Sequence, residues 1–353
     1  MERVTPHTVA SLVWQLPSEM HELQADAVRR LGYQHRFFLY DEAIPDDADI
    51  VLIQGPFGSL LPFAHQLLVC DPANRPAVAY WFEESLDMQR PEWFRRALAP
   101  LFSELRRAAD RVPNEAPGFL ERQLAQYVRS RGHRYRYLGD ILWLCSRGLI
   151  DVLALSSSVY SDYLMEYGIS SVVVPRGYHP DYGELRNLQR DIAVLWMGQT
   201  RTKRRRDAVY WLRKELAQRG QLMHIHDGET SGFIFGEERT RLLNRTCFVL
   251  NVFTQPADEL SIRYYVAAAN GAVILTEPGA NRYPFVAGEH LVECPIDAMP
   301  DKVMYYLEHL AEWNRLSSNM LALMQNHLTL EDSLAAILTE AEETAFRRYP
   351  CRR

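Results

Sequence analysis

The chain is 353 residues long, 47% hydrophobic and 24% charged, which suits a folded globular protein of two domains and excludes disordered, collagen-like and disulfide-stapled miniature chains. Its 39 basic and 45 acidic residues leave a net charge of −6, the wrong sign for a protein whose main task is to coat nucleic acid. Five scattered cysteines, Cys70, Cys145, Cys247, Cys294 and Cys351, form no C-x-x-C pair and read as thiols in a reducing compartment, and with neither a signal-peptide pattern nor 18 consecutive apolar residues the expected location is the cytoplasm.

Short β-branched runs alternate with amphipathic ones along the first half. Strands are expected at Thr8–Trp14, Gln34–Tyr40, Asp49–Gln54, Ala77–Phe82, Asp151–Leu155 and Ser171–Val174. Helical patterns fall between them at Glu19–Leu31, Leu60–Leu68, Pro91–Ala109, Pro117–Ser130 and Ser158–Tyr167. That rhythm predicts a mainly parallel sheet with crossover helices.

Two prolines and a glycine then crowd into Pro175–Pro180, and the charged stretch up to Asp191 reads as a connector. The alternation restarts with strand Ile192–Met197, helix Thr202–Arg219, strand Gln221–His226, helix Glu237–Asn244, strand Cys247–Phe253, helix Glu259–Asn270 and strand Ala272–Thr276. Three helical patterns close the chain: Ala298–Trp313, Arg315–Gln325 and Leu330–Phe346. The expected organisation is an N-terminal unit over residues 1–180, a C-terminal unit over 190–330, and a final helix over 331–353 packing back on the first unit.

Candidate chemistry gathers at expected strand ends, where open α/β sheets bind ligands. After the strand ending at Met197, Gly198 opens a short loop into a helix start carrying Arg201, Lys203, Arg204, Arg205 and Arg206. Cations at the positive end of a helix dipole are unfavourable unless an anion answers them, so this turn reads as a diphosphate site with Arg201 and Lys203 as its charges; the plainer reading is a solvated helix start. His226, Asp227 and Gly228 end the next strand. His224 and His226 share one face, too few ligands to make a metal site, so no metal is expected. Asp258, Glu259, Ser261 and Arg263 crowd polar groups at the start of an alanine-rich helix that stops at Asn270-Gly271. In the first half, Gly55, Phe57 and Gly58 follow one strand and Glu83 and Glu84 another, beside Trp81 and Phe82; such carboxylates suit a general base or sugar hydroxyls. No G-x-G-x-x-G, P-loop or G-x-S-x-G occurs, which counts against oxidoreductase, P-loop NTPase and serine hydrolase.

These pieces together resemble the GT-B glycosyltransferases of the group 1 and spore-maturation CgeB type. The resemblance is carried by Val194-Leu195-Trp196-Met197-Gly198 with Arg201 and Lys203, by His226-Asp227-Gly228, by Glu259 to Gly271 with Arg263, by Pro278-Gly279-Ala280 and Gly288-Glu289-His290, and in the first half by Ala48–Gln54, Tyr80–Glu83 and Val174–Gly177. It implies two Rossmann-like domains facing each other across a cleft, the C-terminal one holding a nucleotide-diphosphate sugar as co-substrate, with no cofactor or metal. Arg201 and Lys203 would then stabilise the departing diphosphate, His226, Asp227 and Gly228 would flank the base, and Asp258 or Glu259 with Ser261 and Arg263 would touch sugar and phosphates. Glu83 or Glu84 would face the acceptor, and Gly55, Phe57 and Gly58 stand as substrate-binding candidates. The acceptor is left open among glycan, small molecule, lipid-linked and protein; nucleic acid is not expected, with the run Lys203–Arg206 its only support. One departure stands out. Val266 occupies the position where the family carries a ribose-binding glutamate, which raises the alternative of a non-catalytic binding or partner subunit.

Overall fold

The computed structural model of the protein describes residues 7–15, 17–55, 60–71, 74–86, 88, 92–110, 118, 120, 123–124, 133–228, 230–254, 261–279 and 284–348. The chain divides into two compact units, one formed by Met1–Val174 with Leu334–Arg353, the other by Pro175–Ser333.

In the first unit, strands β1 (Thr8–Val13), β2 (Gln34–Leu39), β3 (Ile50–Gly55), β4 (Ala77–Phe82), β5 (Val152–Leu155) and β6 (Val172–Val173) form one sheet in the order β2-β1-β3-β4-β5-β6, all pairs parallel. Every residue of β1, β4 and β5 is buried, as expected of strands covered on both faces, which therefore read as continuous apolar runs. The crossovers are α1 (Glu19–Arg30), α2 (Leu61–Val69), α3 (Glu92–Asp110), α4 (His133–Ser146) and α5 (Ser158–Met165). Local chemistry starts them: Ser18 N–H donates to His21 Nδ1 at 3.0 Å before α1, and Ser157 Oγ accepts from Tyr160 N at 3.4 Å before α5. The sequence pattern missed α4, whose basic, aromatic first turn blurs any apolar stripe. Most of the expected helix Pro117–Ser130 lies outside the described residues.

The second unit repeats the plan with β7 (Ile192–Met197), β8 (Met223–His226), β9 (Thr246–Asn251), β10 (Val273–Thr276) and β11 (Val292–Glu293) in the order β11-β10-β9-β7-β8. All its pairs are parallel. Its helices are α6 (Lys203–Gln218), α7 (Gly236–Asn244), α8 (Arg263–Ala269), α9 (Met299–Glu308), α10 (Leu310–His327) and α11 (Leu330–Arg348). Val209, Leu212 and Leu216 of α6 close over Val194, Trp196, Phe248 and Leu250 to make the core. The two-residue β11 is too short to show in the sequence, and the apolar pattern Ala298–Trp313 divides at His309, whose ring stacks on Tyr305 at 4.1 Å. Helix α8 begins at Arg263, so Ser261 precedes it. It ends at Asn270, with Gly271 at φ +70° turning the chain in the left-handed conformation that suits glycine.

The stretch from Pro175 to Asp191 is bound down along its length, unlike a loose connector. Tyr178, His179 and Tyr182 are buried, Arg186 N donates to Asn244 Oδ1 at 2.7 Å, and Arg190 donates to the carbonyls of Leu243 at 3.1 Å and Asn270 at 2.9 Å. Sequence polarity misled here because Arg190 bonds to helix-end and strand-start carbonyls of the second unit and Arg186 to the carboxylates of Glu184 and Glu237. Tyr178 also exchanges backbone bonds with the start of α11: its N–H donates to Leu328 O at 2.6 Å, and Leu330 N–H donates back at 2.7 Å. Gly177 allows this close approach, since a Cβ there would lie 2.5 Å from Leu330 Cα. From Leu334 onward α11 belongs to the first unit, where Tyr33 hydrogen-bonds Glu342.

Candidate functional site

In the second sheet the chain runs from β7 outward to β8, then returns to β9 on β7's other side and continues to β10 and β11. Helices leaving neighbouring strands in opposite directions open a crevice at their carboxyl ends, here between β7 and β9. Gly198 sits at that point. Its N–H donates to His226 O at 3.1 Å and its carbonyl accepts from Trp196 Nε1 at 3.0 Å. Having no side chain, it leaves room for the guanidinium of Arg263; a Cβ on Gly198 would stand 2.3 Å from Arg263 Nη2.

Arg263 is thereby locked in place. Its Nε donates to Met197 O at 2.6 Å, its Nη1 donates to Asn251 Oδ1 at 3.1 Å, and its guanidinium lies 4.9 Å above the Trp196 ring. Burial first, then the charges of Arg205 and Arg176, bring its pKa down to about 10. Next to it Tyr264 is pushed up to about 12, burial being the main cause. Arg205 is held on the same edge by Nε donating to Val252 O at 2.9 Å. Guanidinium groups gathered at a strand-end crevice are unfavourable to one another and favourable to an anion.

The rest of the basic run is distributed otherwise. Thr202 caps α6, its Oγ1 accepting from Arg205 N at 3.4 Å. The Lys203 side chain is 83% exposed and its ammonium pairs with Asp207 one turn on, which leaves it no part in the crevice in this conformation. Arg204 forms a two-pronged ion pair with the buried Glu277 and donates to Phe253 O at 2.5 Å. Glu277 also accepts from Phe253 N at 2.7 Å, so this pair ties the start of α6 to the ends of β9 and β10. Arg201 is exposed on the loop between Gly198 and α6.

At the end of β8, Asp227 is buried. Its carboxylate accepts from Thr200 Oγ1, and its carbonyl accepts from Ser231 N at 2.8 Å, so it fastens the β8 turn to the β7 loop. His226 donates through Nε2 to Gly232 O at 2.9 Å. His224 is lowered by burial and, after it, by His226 and Arg245. Gly228 lies against the exposed ring of Phe233, to which a Cβ would come within 3.1 Å. Asp258 and Glu259 lie outside the described residues. Ser261 Oγ accepts from Arg263 N at 3.2 Å. Val266 is buried within α8.

In the first unit, β3 and β4 end side by side. Glu83 N donates to Gly55 O at 2.8 Å, and Gln54 Nε2 donates to Glu83 Oε2 at 2.8 Å. Glu83 is 7% exposed whereas Glu84 is exposed, so two adjacent carboxylates have opposite solvation. Phe57 and Gly58 lie outside the described residues. Sequence reasoning passed over Arg176 and Phe233 as site residues and set Arg205 behind Lys203. The Pro-Arg-Gly turn at 175–177 was the available signal for Arg176; a helical wheel from the Thr202 cap would have separated the faces of Lys203 and Arg205.

Residues 201–339 match the family model described as "Glycosyl transferase-like", and no curated protein matches the sequence. Among solved structures, sucrose-phosphate synthase from Thermosynechococcus elongatus is similar at a TM-score of 0.58 and 10% identity, with 96% of this chain and 98% of that one covered. Anabaena HepE in complex with UDP-glucose is similar at 0.52 and 9% identity, covering 96% and 98%. TarM is similar at 0.55 and 8% identity; 91% of this chain aligns but spans only 58% of TarM. With two parallel-sheet α/β units and these neighbours, the chain has the GT-B fold of two Rossmann-like domains.

Proposed function

We propose that the protein is a glycosyltransferase that takes a sugar from a nucleotide-diphosphate donor without needing a metal. The observation that carries this reading is Arg263, seated at the β7/β9 crevice with Arg205 beside it and Arg176 within electrostatic reach. As the anomeric C–O bond breaks, the electron pair leaves with the diphosphate, and prepositioned guanidinium groups stabilise that charge without reorganising. The second-unit match to a glycosyl transferase-like family model and the UDP-glucose of HepE support a donor of this class. Phe233 beside Gly228 offers a ring for the base, and Arg201 flanks the phosphate path. Glu83, buried and oriented by Gln54, suits the base that receives the acceptor hydroxyl's proton.

A second reading, a donor-binding subunit without turnover, is favoured by Val266, an apolar buried residue where the resemblance calls for a ribose-binding acid. One experiment separates them. A panel of UDP-, GDP-, ADP- and dTDP-sugars is screened for thermal stabilisation and for nucleotide release, with and without EDTA. Stabilisation with nucleotide release supports transfer, stabilisation alone supports the binding subunit, and silence across the panel removes both. Glu83→Ala keeps the stabilisation and loses the release.

A further inference from the structure

Asn251 is the last residue of β9, a strand buried along its whole length. Asparagine suits strands poorly, and this one is only 2% exposed, so its amide has to find partners inside the protein. It finds them on both sides. Arg263 Nη1 donates to its Oδ1 at 3.1 Å, and its Nδ2 donates at 3.2 Å to Thr276 Oγ1, which stands opposite it in register on β10. The Thr276 hydroxyl directs its own proton to Glu277 O at 3.2 Å, so toward the amide it acts as acceptor. A guanidinium can only donate. These two directions fix the amide, with Nδ2 toward β10 and Oδ1 toward Arg263.

The charge of the acceptor matters as much as its position. Among the described residues every partner of Arg263 is neutral: the Met197 carbonyl, the Asn251 amide and the Trp196 ring. A carboxylate is close at hand, because Glu277 follows Thr276 directly, yet it goes to Arg204 instead. The ends of two neighbouring strands thus give an acid to the arginine that ties α6 to the sheet and an amide to the arginine seated in the crevice. An acid beside Arg263 would hold it equally well. Opposite charges in contact largely cancel at a distance, however, so such a pair would attract an arriving anion far less. We propose that Asn251 is the positioning residue of the donor site: its amide, fixed by Thr276, aims the Arg263 guanidinium while leaving the positive charge whole for the diphosphate. This proposal rests on the reading of Arg263 as the group that meets the diphosphate.

The test measures UDP and GDP affinity by isothermal titration, with thermal unfolding of the same samples, on the full chain and on Arg263→Gln, Asn251→Leu, Asn251→Asp and the double variant N251L/R263Q. Asn251→Leu, close in shape but without an acceptor, weakens binding about tenfold. On the Arg263→Gln background the same change costs less than about threefold, because Asn251 acts through the guanidinium; a residue that merely supported the fold would weaken both backgrounds alike. Asn251→Asp keeps the melting temperature within a few degrees of the parent, since a buried guanidinium gains a counter-charge, yet loses at least about tenfold in affinity. A purely structural residue would not separate stability from affinity in this way. Either single Asn251 variant binding within about threefold of the parent overturns the proposal, as does a further loss of about tenfold in the double variant. Should Asn251→Leu fail to fold, Asn251→Asp carries the decision. A parent chain that binds neither nucleotide, or an Arg263→Gln variant that binds as the parent does, removes the diphosphate assignment itself and the proposal with it, so the two failures are told apart.

Discussion

Replacing Arg263 by glutamine separates a group kept for stability from one kept for an anion. In the folded protein burial, and after it the charges of Arg205 and Arg176, hold this guanidinium down at about 10, a cost of about 3 kcal/mol. Its bonds to Met197 O and Asn251 Oδ1 and its seat on Trp196 return about 1.5–3 kcal/mol per charge-assisted bond and about 1 for the ring. These contacts outweigh the cost of burial, so Arg263→Gln lowers stability by about 1–4 kcal/mol. A diphosphate brought against the crevice relieves the burial and repulsion and adds at least one charge-assisted bond, so its loss costs about 3–4 kcal/mol, or two to three orders of magnitude in affinity. Isothermal titration with UDP and GDP, paired with thermal unfolding of the variant, reads both quantities. A folded variant that binds a nucleoside diphosphate within threefold of the parent refutes the assignment.

Three further outcomes follow from the same geometry. Lys203→Ala leaves nucleotide affinity within about twofold, because an exposed i,i+4 pair with Asp207 contributes only a few tenths of a kcal/mol and faces no ligand; a tenfold loss in the same titration would restore Lys203 to the site. Glu277→Ala strands the Phe253 N–H and the Arg204 guanidinium and lowers the stability of the second unit by about 2–3 kcal/mol, read by urea unfolding or amide exchange at Phe253. His35, which bonds Ser11 Oγ at 2.9 Å, is lowered by burial and then by Arg29 to about 4. The unfolded chain therefore binds this proton more readily, and stability present above pH 6.5 is lost as the pH falls toward 4, by about 2–3 kcal/mol. His35→Gln flattens that part of the stability–pH curve, and an unchanged slope would assign it to other groups.

The alternation of apolar runs was enough to place both sheets, because strands buried on two faces leave little ambiguity in a sequence. What stayed hidden depended on partners distant in the chain. Arg190 looks like part of a polar connector until Leu243 and Asn270 are seen to accept its bonds. Lys203 and Arg205 are equivalent in composition; only the turn of α6 sends one to Asp207 and the other to Val252 O. Gly198 was legible as a turn, but its closer purpose, making room for a guanidinium 65 residues later, cannot be read from spacing. Glu83, buried beside the exposed Glu84, bonds Gln54 of β3, nearly thirty residues earlier in the chain.

The double passage of the chain between its units has a consequence for folding. The second unit is one uninterrupted stretch, Pro175–Ser333, whose two ends are laced together where Tyr178 meets Leu328 and Leu330. Topologically it is an insertion within the first unit. The inserted half has all its segments in one stretch and can close on itself, whereas the first unit is complete only when the part of α11 from Leu334 onward, including Glu342, the partner of Tyr33, returns to it.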